Sequence, residues 1–523
     1  MIDIDTTHEA EHLKPVGSAR AGRAARHERR AQAHSRTAPA YITRRIPTYD
    51  LLGEEGLQRI EQTADRILAE VGIEFRGDDE TVRLFREAGA KFDGVRATFE
   101  PGMLREILKS APGEFIQHAR NPARSVKIGG DGIVFAPAYG SPFVMDLDQG
   151  RRYGTLKDFQ NFVKLAYMTP SMHHSGGTVC EPVDVPVNKR HLDMVLAHFI
   201  NSDKALLGSV TEPSRAQDSV DMARIVFGEE FADSNCVIMG NFNVNSPLVW
   251  DGTMTGGIRA YAAAGQGNVI VPFILGGAMG PVTNAGAIAQ SLAETMAGCA
   301  LAQLVRPSAP VIFGNFLSSM ALRSGSPTFG TPEPAIGSLV VGQLARRLNL
   351  PLRCSGSFTT SKLPDAQSTA ESMMSMLAAV QCGAHFVLHA AGFLDGLLSM
   401  SYEKFVIDAD ICAAMHTYLA GMEVDDNALA LDAFKEVGPG NHFFGCAHTL
   451  ANYETAFWDT ELSDNDPFET WEENGSLDMA ARANTKWKKM LAEYQPPPID
   501  PGIAEALTDF VARKKASMDD AWH

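Results

Sequence analysis

Two glutamates of this 523-residue chain, Glu212 and Glu333, each stand beyond an apolar run, in the connection that leads into a helix-like stretch. His389 closes another such run, "HFVLHA". Tyr139 lies in "AYGSPF", Trp250 in "NFNVNSPLVWDGT", Asn315 in "VIFGNF" and Arg323 in "ALRSGSPTFGTPEP". Carboxylates beside aromatic faces suit a positively charged, poorly hydrated group better than a phosphate. A quaternary ammonium rests well against ring faces and gains from a nearby carboxylate. Structural roles compete for each residue. Thr331 fits an N-cap and Pro332 the first helical position, so Glu333 would also favour the helix dipole. Glu212 stands equally close to a helix start. A lone histidine in an apolar strand is commonly a hydrogen-bonded core residue, and aromatics pack more often than they bind.

Other chemistries find little support. There is no HExxH, and the pair His173–His174 has no third ligand nearby. In "GNHFFGCAH", His442, Cys446 and His448 are spaced by four and six, which no single helix face presents, so no metal site is expected. The seven cysteines are scattered and no CxxC pair occurs, so neither a zinc knuckle nor a disulfide framework is signalled. No GxSxG elbow follows a strand, and no GxGxxG follows an early one. The net charge of -17, from 63 acidic and 46 basic residues, argues against a nucleic-acid binder. The basic stretch "RAGRAARHERRAQAHSR" reads as a mobile arm resting on an acidic body or a subunit. The opening "MIDIDTTHEAEHLKP" is acidic and polar where a secretory leader would be basic and apolar, so the expected compartment is the cytoplasm. The most apolar helical window, Ala285 to Val305, carries Gln290, Glu294 and Gln303 and reads as a buried helix, with no membrane span expected.

The elements that must position these residues alternate along the chain. Strands are predicted at 133–137, 174–179, 205–210, 236–241, 269–275, 311–316, 352–356 and 385–390. Helices are predicted at 156–168, 188–202, 215–228, 253–265, 285–306, 333–348 and 366–382, with a last one after 395. Eight strand–helix units in about 265 residues match an α/β fold of the (β/α)8 TIM-barrel type. A doubly wound sheet is the rival, since alternation alone cannot separate open from closed. The expected organisation is a basic arm over 1–45, a helical region over 46–131, the barrel over 132–398 and a helical extension over 399–523 closing on the barrel. In a closed barrel the residues named above would share the face at the strands' C-terminal ends.

"SPTFGTPEP", "GPGNHFFGCAHTLANYETAFWDTELSD" and "WEENGSLDMAARANTKWKKML" together resemble the trimethylamine methyltransferase family, over about residues 40 to 510. One departure is Cys446–Ala447, where the family resemblance calls for a more polar pair. The resemblance implies a TIM barrel that passes a methyl group from an amine to cob(I)alamin, with the cobalamin carried by a partner corrinoid protein and no cofactor held tightly by this chain. Archaeal members use pyrrolysine; this chain has only the twenty standard residues, so the implied substrate is a quaternary amine such as glycine betaine. A quaternary nitrogen leaves as a neutral tertiary amine, so alignment and exclusion of water matter more than acid–base catalysis. On that reading Glu212 or Glu333 balances the cation and Tyr139 and Trp250 face its methyl groups. Asn315, Arg323 or His389 grips a carboxylate. Gly276, Gly277 and Gly325, in "GGAMGP" and "RSGSPTFG", leave room for the corrinoid. The long arm and added helices suggest a homo-oligomer. Two alternatives stay open: a metal-free barrel lyase or aldolase using Lys204 or Lys362, and a non-catalytic small-molecule binding protein.

Overall fold

The computed structural model describes residues 39–522. Most of the basic arm lies outside the described residues. Its last part does not hang free: Ile42–Thr43 pairs antiparallel with Gly132–Ile133, and the Arg45 amide donates to the Leu419 carbonyl at 2.9 Å.

Six barrel strands are regular: Gly132–Phe135, Met239–Val244, Gly267–Leu275, Val311–Gly314, Leu352–Ser355 and Phe386–Leu388. In chain order they are the first and the fourth to eighth. The second and third, near 173–177 and 205–208, are extended segments held by single bonds. The His173 and His174 amides donate to Phe135 O at 3.0 and 3.1 Å, and the Leu207 amide donates to Gly176 O at 2.7 Å. The Gly208 amide then reaches Met239 O at 2.8 Å. Gly176, at φ +88°, explains why this part of the ring lacks a continuous ladder. The ring closes where the eighth strand pairs parallel with the first, Phe386 opposite Val134 and Val387 opposite Phe135. That closure settles the fold as a barrel and excludes the open doubly wound sheet.

Alternation sorts the side chains. Val134, Ala136, Leu207, Met239, Val269, Val271, Ile312, Phe386 and Leu388 form the packed interior. Their neighbours Phe135, Phe313, Cys354 and Val387 face the surrounding helices. These helices are Leu156–Met168, Arg190–Asn201, Pro213–Phe227, Gly252–Ala263, Asn284–Val305, Pro332–Arg347, Ala366–Gln381 and Tyr402–Ala420. Local chemistry starts several of them. Thr155 and Asp158 form a capping box, Asp365 accepts from the Ser368 amide, and prolines open the helices at 213 and 332. Among the described residues no helix is long and apolar enough to cross a membrane.

Residues 46–131 are mixed, not helical throughout. Strands Ile73–Arg76, Arg96–Thr98 and Lys91–Asp93 form a small sheet completed by Val249–Asp251, which arrives from the loop after the fourth barrel strand. The hairpin of Glu114–Gln117 and Val126–Gly129 adds Val126 and Ile128 to the interior cluster at the strands' N-terminal end. At the other end, Phe143–Asp146, Gly150–Tyr153, Phe393–Leu394 and Ser399–Ser401 make a second small sheet from the loops after the first and eighth strands. Beyond 402 the chain is helical apart from connections, and Met479–Glu493 packs along Tyr402–Ala420. The Glu403 carboxylate joins them, accepting from Trp487 Nε1 at 2.9 Å and Asn484 Nδ2 at 2.8 Å.

Candidate functional site

Parity along the seventh strand decides what enters the barrel. Cys354 faces outward, where its sulfur lies 3.5 Å from Cys382 Sγ, so Arg353 and Ser355 point inward. Arg353 is 1% exposed. Its Nη1 donates to Asn315 O at 2.8 Å and to Ser355 Oγ at 2.9 Å, while its buried Nε–H has no acceptor. No carboxylate pairs with it among the described residues, and burial pushes the guanidinium down to about 9. Its carbon lies 5.2 Å from the centre of the Phe316 ring.

Aromatic rings cover this arginine. Phe316 stacks on Phe358 at 5.0 Å and meets the edge of Phe273 at 4.8 Å. Phe329 lies 5.0 Å from Phe358, and Phe393 lies 6.0 Å from it. His389 sits among them, 4.9 Å from Phe393, 5.1 Å from Phe358 and 5.6 Å from Phe316. A left-handed backbone at His389, φ 60°, breaks the eighth strand's alternation and turns the ring toward the bowl. Burial, with a smaller contribution from Arg353, holds its pKa well below the usual value, so the ring is neutral. Its Nδ1 accepts from the Tyr139 amide at 3.2 Å, which leaves the proton on Nε2. Tyr139 is half-buried beside it, with Thr178 on its hydroxyl and burial pushing its pKa up to about 12.

The sequence-predicted residues therefore separate. Tyr139 and His389 meet at the mouth. Asn315 contributes its backbone carbonyl to Arg353, but its side chain turns outward to Ser338 Oγ at 3.0 Å. Glu212 is exposed at the start of the helix Pro213–Phe227 and pairs with Arg215 at 3.2 Å. Glu333 and Gly276 line a different groove of about 330 Å3, with Leu317, Met320 and Thr328. Arg323 and Gly325 lie on the exposed turn of the hairpin that joins Phe316–Met320 to Pro327–Thr328. Gly325 has φ 73°, and Gly277, at φ 91°, occupies the loop after the fifth strand. Trp250 is a correction. It is fully buried in the small N-terminal sheet opposite Phe75, against the helix Asn284–Val305. A Cβ on Gly298 of that helix would fall 2.5 Å from its ring, so Trp250 packs where the helix has no side chain.

Sequence reasoning missed Arg353, Phe358, Phe393 and Phe329 as site residues. The signal for Arg353 was a single charge inside the apolar strand "LRCSG". The lysines of the lyase alternative are engaged elsewhere. Lys204 Nζ donates to the Ala166, Thr169 and Met172 carbonyls at 2.7, 3.0 and 2.5 Å, and exposed Lys362 donates to Thr360 O at 2.7 Å. Among the described residues no cluster of histidine, cysteine or carboxylate side chains could hold a metal ion.

At the barrel mouth a buried guanidinium without a carboxylate partner thus lies beside a cluster of aromatic rings. The chain belongs to the trimethylamine methyltransferase (MTTB) family, whose sequence profile matches residues 19–519. It is 41% identical to the glycine betaine methyltransferase of Desulfitobacterium hafniense (strain Y51) over 470 residues, 90% of this chain and 98% of the relative. It is 26% identical over 492 residues to the proline betaine:corrinoid methyltransferase of Eubacterium limosum, covering 90% of this chain and 99% of that one. The trimethylamine methyltransferase MttB2 of Methanosarcina mazei is 26% identical over 479 residues, 88% of this chain and 94% of the relative. Two of the motifs quoted from the sequence have visible work in this fold. "SPTFGTPEP" delivers Phe329 to the bowl, and the late "WEENGSLDMAARANTKWKKML" delivers Asn484 and Trp487 to Glu403.

Proposed function

We propose that this chain is a corrinoid-dependent methyltransferase that takes a methyl group from a quaternary amine of the glycine betaine type. The corrinoid of a separate partner protein supplies the nucleophile that accepts the methyl group. Family membership and the 41% identical glycine betaine methyltransferase support the reaction. The observation that carries the substrate reading is the bowl of Phe316, Phe358, Phe393 and neutral His389 at the barrel mouth.

The chain's residues act by binding and orienting. Ring faces attract an ammonium that keeps little hydration, at about 0.5–2 kcal/mol per well-placed face. A neutral His389 adds no positive charge to repel it. The substrate's N–CH3 bond breaks with both electrons left on nitrogen, giving a neutral tertiary amine, so no residue need donate a proton. Holding that bond in line and shielding it from water supplies much of the rate. The groove at Gly276, Met320 and Glu333, with the glycine turns beside it, is the proposed approach for the corrinoid carrier.

Incubation of the protein with cob(I)alamin and a panel of methylated amines tests the reading. The expected result is conversion to the methylcob(III)alamin spectrum with quaternary amines and none with trimethylamine. Absence of conversion with every quaternary amine would remove it.

Two finer statements belong to the same proposal. The seven cysteines are free and buried, which suits a reducing cytoplasm. Large apolar residues exposed between 422 and 468, including Met422, Phe444 and Phe457 at 85% each, suit burial against another copy. Light scattering that finds only monomer would end the latter.

A further inference from the structure

We propose that Arg353 anchors a substrate carboxylate, making the site selective for zwitterionic over purely cationic quaternary amines. The proposal rests on the methyl-transfer reading for the ammonium half of the substrate, whereas the carboxylate half stands on Arg353 alone.

Among the described residues no other arginine is so deeply buried. A buried cation is costly unless it is paired, and folds supply partners for nearly all of them. Here the partners are one carbonyl and one hydroxyl, both on Nη1, and the Nε–H is left without an acceptor. A guanidinium edge with an open Nε–H matches the two oxygens of a carboxylate, the geometry in which arginine binds most strongly. The missing counter-charge therefore has a place to come from. Burial already draws the guanidinium down to about 9, and a bound carboxylate would reverse that shift.

Position along the strands then orients the ligand. Arg353 precedes Ser355 on the seventh strand, and Phe316 and Phe358 belong to the ends of the sixth and seventh, so the arginine is the deeper group. A carboxylate held there leaves the trimethylammonium among the rings, with its methyl groups toward the open mouth. A short spacer between the two charges fits this arrangement, because a long one would lift the nitrogen out of the bowl.

The experiment compares wild type, Arg353→Gln and Arg353→Lys by calorimetric binding and thermal melting. The probes are glycine betaine, choline and 3,3-dimethylbutyrate, the uncharged-carbon isostere that keeps the carboxylate and loses the cation. Arg353→Gln is expected to weaken glycine betaine and 3,3-dimethylbutyrate about 100-fold, as for truncation of one partner of a buried charge pair. Choline should change by less than about threefold, since ring contacts hold it. Arg353→Lys should recover part of the loss because it restores the charge without the fork. Without ligand, Arg353→Gln should melt no lower than wild type, because it removes an unpaired buried cation. Equal losses for all three probes, unchanged glycine betaine affinity, or a lower melting temperature with every ligand lost would overturn the anchor. Arginine-dependent binding of 3,3-dimethylbutyrate without methyl transfer from any amine would support the anchor and overturn the proposed function.

Discussion

Two buried cations of this molecule are treated in opposite ways. Lys404, fully buried behind the eighth strand, is clamped to Asp408 one helical turn on and donates to Ser372 Oγ at 2.8 Å. Asp408 also accepts from the Gly392 amide at 2.9 Å, so the pair ties two helices to the strand's end. Arg353, on the inner face of the same barrel, has only neutral partners and an open Nε–H. A charge kept for architecture is closed off on all sides. On the proposed reading, a charge kept for a ligand is left one partner short, and the fold bears that cost until the ligand arrives.

The widest effect sharpens the rule by extending it to histidines, which burial without a counter-charge should hold neutral. Burial lowers His198, His385 and His416 from 6.5 to about 4. Below pH 6.5 the unfolded chain binds protons that the folded chain refuses, so stability is lost as pH falls from about 6.5 to about 4. Each group can contribute about 3 kcal/mol across that window. The melting temperature should fall steeply there, and a flat profile would break the rule.

Next in size is Asp408→Asn, which leaves Lys404 buried without its carboxylate. A loss of about 3–5 kcal/mol is expected in denaturant unfolding. Replacing both residues with apolar ones should restore most of it, and a double variant as unstable as the single would show that the pair is not the cause. A smaller effect is expected from Phe358→Leu, which should weaken glycine betaine about tenfold through the lost ring face. The same change should weaken 3,3-dimethylbutyrate less; equal weakening would reduce Phe358 to packing. Smallest is Glu212→Gln. The side chain is half-exposed and salt-bridged to Arg215, so turnover should stay within about twofold, and a large loss would return Glu212 to the site.

The ring of strands was legible in the sequence because short apolar runs alternate with longer helical stretches, both local patterns. The helix boundaries agree within a few residues, since caps such as Asp365 and prolines such as Pro332 are written locally. The site was less legible because strand-end reasoning does not give parity, and a shift of one residue exchanges inside for outside. Asn315 and Arg353 show this: the first was chosen for its polarity and points outward, while the second was hidden in "LRCSG" and points inward. Trp250 failed for another reason. Its strand pairs with Ile73–Arg76, some 175 residues earlier, and no local pattern announces so distant a partner. The left-handed turn that presents His389 is equally invisible, because histidine, though more tolerant of positive φ than most residues, adopts it at few positions.

The seam between Val134 and Phe386 has a consequence for how the protein is made. The barrel's first and last staves lie about 250 residues apart, so a chain leaving the ribosome has two raw sheet edges until the last stave emerges. Even then Glu403 lacks two of its donors until Asn484 and Trp487 follow. The cylinder is thus unfinished until its eighth strand has been made, and a chain stopped before Phe386 would keep both edges unpaired.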